Sequence, residues 1–246
     1  MSYLLSLRSL KTLFGPSDEV LTIARVIRKA LRPNDIRILD VGTADGSAAR
    51  RIAGQLTTSG FRCAIVGIDV EPQLSGEEHS EHAFSYEFQQ VSFQRYQDPK
   101  PFDLVLFRQS MYYLGDPKQV FVRASELTSS GGVVLAVTWD THCALRRLVE
   151  TVDPSNSALD IAPPRLLQDA RFAALVNIGV EQSIGALDMG KVKANPDLYR
   201  ETLELLLRGR SFTAASWDYL VSALPNLKDI EVRSNGIVAF GKSSIT

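Results

Sequence analysis

Five residues between two short ordered-looking stretches, Gly42, Thr43, Ala44, Asp45 and Gly46, carry the clearest chemical signal in the chain. Glycine lets backbone approach a ligand with no Cβ in the way, and a helix opening directly behind such a loop presents N–H groups to it. The chemistry this suits is the binding of a nucleotide-like ligand. G-T-A-D-G lacks the G-x-G-x-x-G spacing that seats a dinucleotide pyrophosphate, and it has no phosphate-binding lysine.

Three further groups have the right types for a site. Asp69 closes the apolar run C-A-I-V-G-I-D-V, with Val70 and Glu71 behind it. An acid there, about 20 residues beyond the loop, can accept from both hydroxyls of a ribose lying across the strand ends, and Glu71 is the rival for that role. Arg108, Gln109, Tyr112 and Tyr113 follow the run F-D-L-V-L-F and would surround a bound cation and its reaction partner, since aromatic faces stabilise cations. Turn geometry sends one of the two tyrosines to the core. Trp139-Asp140-Thr141-His142 is the last group. An imidazole titrates near neutrality, so His142 is the candidate general base, the alternative being a capping or surface histidine. Tyr112 joins it as a candidate catalytic residue, and Trp139 as a substrate contact.

The elements around these residues set where they meet. Ile36, Ile38, Leu39 and Val41 have the branched apolar character of a strand buried on both faces, and Ser47 to Leu56 restores helical composition. Before them, Leu4 to Phe14 fits one helical face ended by Gly15-Pro16, and a second helix runs from Glu19 to Leu31 after Ser17 or Asp18. These helices either pack on the sheet or form a lid over the ligand. Later strands are expected at Cys63–Val70, within Tyr86–Phe93, at Phe102–Phe107, Val133–Thr138, Val180–Leu187 and Ile230–Gly241. The third should end with Ser92, Phe93 and Gln94 near the ligand's base. Helices are expected at Pro117–Leu127, from Pro163-Pro164 to just before Asn177-Ile178-Gly179, at Pro196–Arg208 and at Thr213–Leu224, with a turn at T-S-S-G-G.

Bulk properties agree with one α/β domain. The chain has 246 residues, enough to bury a substantial core, and its 27 basic and 28 acidic residues give a formal charge of -1. General nucleic-acid binding is not expected from that balance. Cys63 and Cys143, the only cysteines, are too isolated for a disulfide framework and read as free thiols of a cytoplasmic protein. No stretch reaches the ~18 apolar residues of a membrane helix. G-E-E-H-S-E-H at Gly76 to His82 reads as a solvated acidic segment, and no metal is expected.

Taken together, L-D-V-G-T-A-D-G, G-I-D-V-E-P, F-D-L-V-L-F-R-Q-S-M-Y-Y-L and L-T-S-S-G-G-V-V-L-A-V resemble class I S-adenosylmethionine-dependent methyltransferases over roughly residues 17 to 140. Ala44 stands where that family often has glycine. The resemblance implies a doubly wound, seven-stranded, mostly parallel Rossmann-like sheet, with N-terminal helices and a helical insertion before the last strand. The whole chain would be one domain: an N-terminal helical part over 1–33, a cofactor-binding core over 34–141, a substrate-covering part over 142–229 and the last strand over 230–246. It further implies S-adenosyl-L-methionine as cofactor, held by Gly42, Thr43, Ala44, Asp45, Gly46, Asp69, Val70, Ser92, Phe93 and Arg108. The acceptor would be a nitrogen or oxygen of a small molecule, contacted by Glu19, Gln109, Tyr112, Tyr113 and Trp139. Within the class, Q-S-M-Y-Y-L-G-D is similar to histamine N-methyltransferase and its small-molecule relatives. Gln109 and Glu19 match that group's substrate-contacting glutamine and glutamate, and Asn235 lies near a third polar contact. An RNA or protein methyltransferase, or a noncatalytic module on the same fold, are the alternatives, and the chain is expected to be a monomer or a homodimer.

Overall fold

The computed structural model describes residues 13–32, 34–73, 84–143, 161–195 and 233–242, together with positions 146, 147, 150, 197, 198, 200, 215 and 218. In chain order its elements are β1 (Phe14–Ser17), α1 (Glu19–Ala30), β2 (Asp35–Val41), α2 (Ser47–Thr57), β3 (Arg62–Asp69), β4 (Phe84–Gln90) and β5 (Phe102–Arg108). There follow α3 (Pro117–Leu127), β6 (Thr128–Trp139), α4 (Pro163–Asp169), β7 (Leu175–Leu187), α5 (Met189–Ala194) and β8 (Arg233–Lys242).

The strands of the described residues form one sheet in the order β1-β7-β8-β6-β5-β2-β3-β4. The pairs β2–β3, β2–β5, β3–β4 and β5–β6 are parallel, whereas β8 runs antiparallel to both β6 and β7. Seven long strands thus make the expected mostly parallel, doubly wound sheet, and the short β1 adds an eighth beside β7. From β2 the chain winds outward through β3 and β4, then returns to β5 on the other side. The carboxyl ends of β2 and β5 therefore open a crevice at the point where strand order reverses, the usual ligand position in such sheets.

Both faces of the sheet are covered, which is why its central strands need no polar alternation. Val20, Ile23, Ala24 and Ile27 of α1 and Ile52 and Leu56 of α2 pack with Ile38, Leu104 and Leu135 on one face. On the other, Val120, Phe121 and Ala124 of α3 and Leu166 of α4 pack with Leu39, Val105, Phe107 and Phe240. Among the described residues no helix is long and apolar enough to cross a membrane.

Several expectations need correction. Phe14 to Ser17 is a short strand rather than the end of a helix, with Phe14 opposite Leu187 and Ser17 opposite Gly185. Proline is tolerated there because an edge strand leaves one row of N–H groups without ladder partners. T-S-S-G-G lies within β6, where Thr128 pairs with Phe102 across an irregularity before Leu104. Asn177-Ile178-Gly179 lies inside β7, not between a helix and a strand, because the turn residues make a bulge there: the register shifts, and Asn177 Oδ1 accepts from Gly179 N–H at 3.0 Å. The preceding helix correspondingly ends at Asp169. Strand β4 ends at Gln90, short of Ser92 and Phe93. The Gly76–His82 segment and most of the N-terminal helix and of the helices expected at 196–208 and 213–224 lie outside the described residues.

Phe121 and Phe240, both fully buried, meet edge to face with ring centroids 5.1 Å apart and join α3 to β8. Replacing Phe121 by alanine is expected to lower the unfolding free energy by about 3–5 kcal/mol, measured by denaturant titration, since a cavity is added to the lost burial.

Candidate active site at the carboxyl ends of β2, β3 and β5 and the amino end of β8

The glycine loop is shaped by backbone hydrogen bonds and by two crowded neighbours. Gly42 and Thr43 N–H donate to the Ile68 carbonyl at 2.9 and 3.1 Å, which ties the loop to the end of β3. Gly42 has φ of 72°, and a Cβ there would lie 2.6 Å from the Ser110 Cβ, so the position requires glycine twice over. Ala44, in the place where glycine is usual in the family the sequence resembles, adopts φ of 53°. That left-handed conformation costs an L-residue about 1–2 kcal/mol. It is held by the Asp69 carboxylate, whose Oδ2 accepts from Ala44 N–H at 2.9 Å while Oδ1 accepts from Glu71 N–H at 3.1 Å. Asp45 closes the turn: its Oδ1 accepts from Ser47 N–H and Oγ, and its carbonyl accepts from the Arg50 guanidinium at 2.6 Å. Helix α2 begins at Ser47, so its first turn faces the crevice.

The second half of the site is a polar chain buried under the crevice. Arg108, at the end of β5, donates from Nε to Glu19 Oε1 at 2.5 Å, and Glu19 begins α1 with its side chain only 3% exposed. Asn235 of β8 donates to the other oxygen of Glu19 and accepts from Gln109 Nε2 at 2.9 Å. Gln109 has φ of 59°, a left-handed conformation away from glycine that sets its side chain toward β8. Residues from α1, β5 and β8 are joined in this way: the candidate contacts Glu19, Arg108 and Gln109, and with them Asn235.

Electrostatics couples the two halves. Burial pushes the Asp40 carboxyl up to about 6, against the pull of a Thr43 hydrogen bond and the nearby Arg108 charge, and Asp69 and Asp45 push it further up. For Arg108 burial disfavours the charged form, but Glu19 and then Asp40 more than offset this, so its guanidinium is raised above the ordinary arginine range. Asp40 is not among the residues that motif and spacing single out. Its signal is that of a lone acid inside I-R-I-L-D-V, a strand otherwise buried through its second half.

The remaining candidates are placed as follows. Tyr112 is buried, and its hydroxyl accepts from Trp139 N–H at 2.5 Å, with the two rings 5.2 Å apart; Tyr113 is 46% exposed. The Trp139 side chain is buried too. His142 is exposed, and its N–H donates to Asp140 Oδ1 at 2.9 Å. Burial raises the Asp140 carboxyl, but hydrogen bonds from His142 N–H, Gln182 and Thr141 outweigh it, holding the group below the usual range. Val70 is 63% exposed. Ser92 is half-buried in a turn, its carbonyl accepting from Arg95 and Tyr96 N–H at 3.0 Å. Phe93 is 3% exposed and packs edge-on against Phe107 at 5.2 Å.

The sequence model of a family described as a methyltransferase domain matches residues 18–177. No curated protein matches the chain in sequence. Solved structures share its fold. A putative sarcosine dimethylglycine methyltransferase from Galdieria sulphuraria aligns with a TM-score of 0.56 at 12% identity, over 92% of this chain and 84% of that one. The YcgJ protein of Bacillus subtilis gives 0.59 at 14% identity, over 92% and 98%. Phosphoethanolamine N-methyltransferase 2 of Haemonchus contortus, solved with S-adenosyl-L-methionine, gives 0.56 at 19% identity, over 92% and 53%.

The buried Asp40 makes a pH-dependent contribution to stability. Its folded value of about 6 lies above the unfolded value of 3.8, so the native state holds the proton more tightly, and stability falls as pH rises from about 4 to above about 6. The full difference is on the order of 3 kcal/mol. Asp40→Asn lacks this contribution, so its stability relative to wild type should climb by that order across the same window in denaturant titrations. Parallel curves for the two proteins would remove the assignment.

Proposed function

Because the chain belongs to the methyltransferase-domain family, whose methyl donor is S-adenosylmethionine, we propose that it methylates a nitrogen of a small-molecule amine held by Gln109, which Glu19 positions through Asn235. The observation that carries the reading is the Glu19–Asn235–Gln109 chain beside the glycine loop.

The residues of the loop fit the cofactor. Gly42 admits close approach, the first turn of α2 faces the crevice, and Asp69 is held at the strand end where ribose hydroxyls would meet it. Bound there, the cofactor supplies a methyl group already activated by a sulfonium. What this chain must add is geometry and a dry site, which can contribute on the order of 7 to 11 kcal/mol.

Gln109 is suited to orient an amine. Its Nε2 is committed to Asn235, and its Oε1 has no partner among the described residues, so Oε1 can accept an N–H of the acceptor and leave the nitrogen lone pair free. The strained backbone at Gln109 supports this use, because such conformations persist where surrounding structure and function demand them. Glu19, paired with Arg108 and bonded to Asn235, acts behind the amide by fixing Asn235 and so Gln109, and the acceptor is the neutral amine. An alcohol would need its proton removed, and the Glu19 carboxylate is already committed to Arg108 and Asn235. The likeness of Gln109 and Glu19 to the substrate contacts of histamine N-methyltransferase relatives points the same way, without specifying histamine.

Methyl transfer to a panel of small amines, with phenols and hydroxy acids beside them, tests the reading, and turnover is expected with amines. In Gln109→Ala, kcat/KM for the amine should fall about 10- to 100-fold, the loss of a hydrogen bond to an oriented group, while cofactor affinity changes less than about threefold. Turnover of phenols alone, or equal losses in cofactor affinity, would overturn it.

A further inference from the structure

Ser110 carries a buried hydroxyl, set against the glycine loop, that has no hydrogen-bond partner among the described residues. The residue is 6% exposed. A hydroxyl withdrawn from water and left unbonded is unfavourable, and most such groups in folded proteins are paired. An orphan at the edge of a ligand loop therefore points to a ligand.

The chain is bent to put it there. Gln109 N–H donates to the Val137 carbonyl at 2.9 Å, and its left-handed backbone, with φ of 59°, turns the chain off the end of β5. Ser110 then lands on Gly42: a Cβ at Gly42 would lie 2.6 Å from the Ser110 Cβ and 3.4 Å from its Oγ. Beyond it the turn is fixed, since the Ser110 carbonyl accepts from Tyr113 N–H at 3.0 Å and both Met111 and Tyr112 are buried. The contact with Gly42 is made chiefly by Cβ, which alanine would supply as well. Packing accounts for the carbon and leaves the oxygen without a role in the fold.

The sheet order tells which part of a ligand this oxygen would meet. Strand β2 lies between β3 and β5, Asp69 ends β3, and Ser110 follows the end of β5. Asp69 and Ser110 therefore stand on opposite sides of the loop, separated by two strand spacings, about 10 Å. An adenosyl donor whose ribose meets Asp69 extends its amino-acid chain across β2 toward β5. That chain ends in an ammonium, which only donates, and a carboxylate, which only accepts; a hydroxyl can serve either. Oγ turns about one bond among staggered positions, so pairing with the ligand needs no backbone movement.

We propose that Ser110 is a cofactor-binding residue whose hydroxyl bonds the amino-acid end of the methyl donor. The inference rests on S-adenosylmethionine as that donor and deepens the reading by assigning the part of the molecule that lies over β5. Seating the donor satisfies the oxygen that the fold leaves unpaired.

Calorimetric titration of wild type, Ser110→Ala and Ser110→Cys with S-adenosylhomocysteine, and with methylthioadenosine, which lacks the amino-acid group, tests this. In Ser110→Ala, S-adenosylhomocysteine should bind about 10- to 100-fold more weakly, the loss of a bond to a charged group, while methylthioadenosine stays within about twofold of wild type. Denaturant unfolding of the unliganded variant should show no loss of stability, because the hydroxyl removed has no partner among the described residues. Ser110→Cys keeps the side-chain shape with a weaker donor and acceptor; it should fall between the two, and it carries the test alone if Ser110→Ala does not fold. Equal weakening of both ligands would reduce Ser110 to loop packing, and unchanged affinity for S-adenosylhomocysteine in both variants would end the proposal. Wild type that binds neither ligand would overturn the donor itself, and the proposal with it.

Discussion

A half-buried guanidinium at the carboxyl ends of parallel strands, set between two carboxylates, organises this molecule. Arg108 has the Glu19 carboxylate on one side and the Asp40 charge on the other. Leaving such a cation without partners would cost several kcal/mol, so the N-terminus of α1 is brought over β5 and β8. Hydrophobic burial explains why α1 lies on the sheet, since Val20, Ile23, Ala24 and Ile27 face it. It does not fix the helix lengthwise. The ion pair and the Asn235 hydrogen bond do, and they set the helix start in the crevice.

The same charges serve two neighbouring regions. Toward β2 and β3 they meet the glycine loop, where Asp40, Asp45 and Asp69 concentrate negative potential. Toward β8 they continue through Asn235 to Gln109. Conformational strain is stored at the corresponding places in the backbone, at Ala44 and Gln109, both with positive φ. A third such residue, Ala174, lies outside this region, between the turn that follows α4 and β7. Strain at the two crevice positions is compensated locally: Asp69 takes the Ala44 N–H, and the Gln109 N–H donates to the Val137 carbonyl at 2.9 Å.

Much of this arrangement is legible in local sequence pattern. The glycine loop, the apolar runs around it and the limits of α3 follow from composition and capping, and Asp116 does accept from Lys118 N–H ahead of Pro117. What escapes a local reading is nonlocal or ambiguous. Asparagine and glycine mark turns and bulges alike, so Asn177-Ile178-Gly179 reads as a break when it is an irregularity within β7. Tyr86 reads as an ordinary strand residue, because nothing nearby in sequence shows that Gly46 and Gly67 leave room for its hydroxyl. Asn235 meets Glu19 across 216 residues, a contact that motif likeness can suggest but spacing cannot. Tyr112 and Trp139 have the right chemistry for a site, and their position along the chain does not disclose that the tyrosine hydroxyl takes a backbone N–H.

The claim on which the rest depends is that the G-T-A-D-G loop, with Asp69 at its edge, seats an adenosyl methyl donor rather than a dinucleotide. Isothermal titration of the wild-type protein with S-adenosylmethionine, S-adenosylhomocysteine and NAD tests it most directly. The account predicts micromolar binding of the first two and none of NAD. Binding of NAD, or of none of the three, would contradict it.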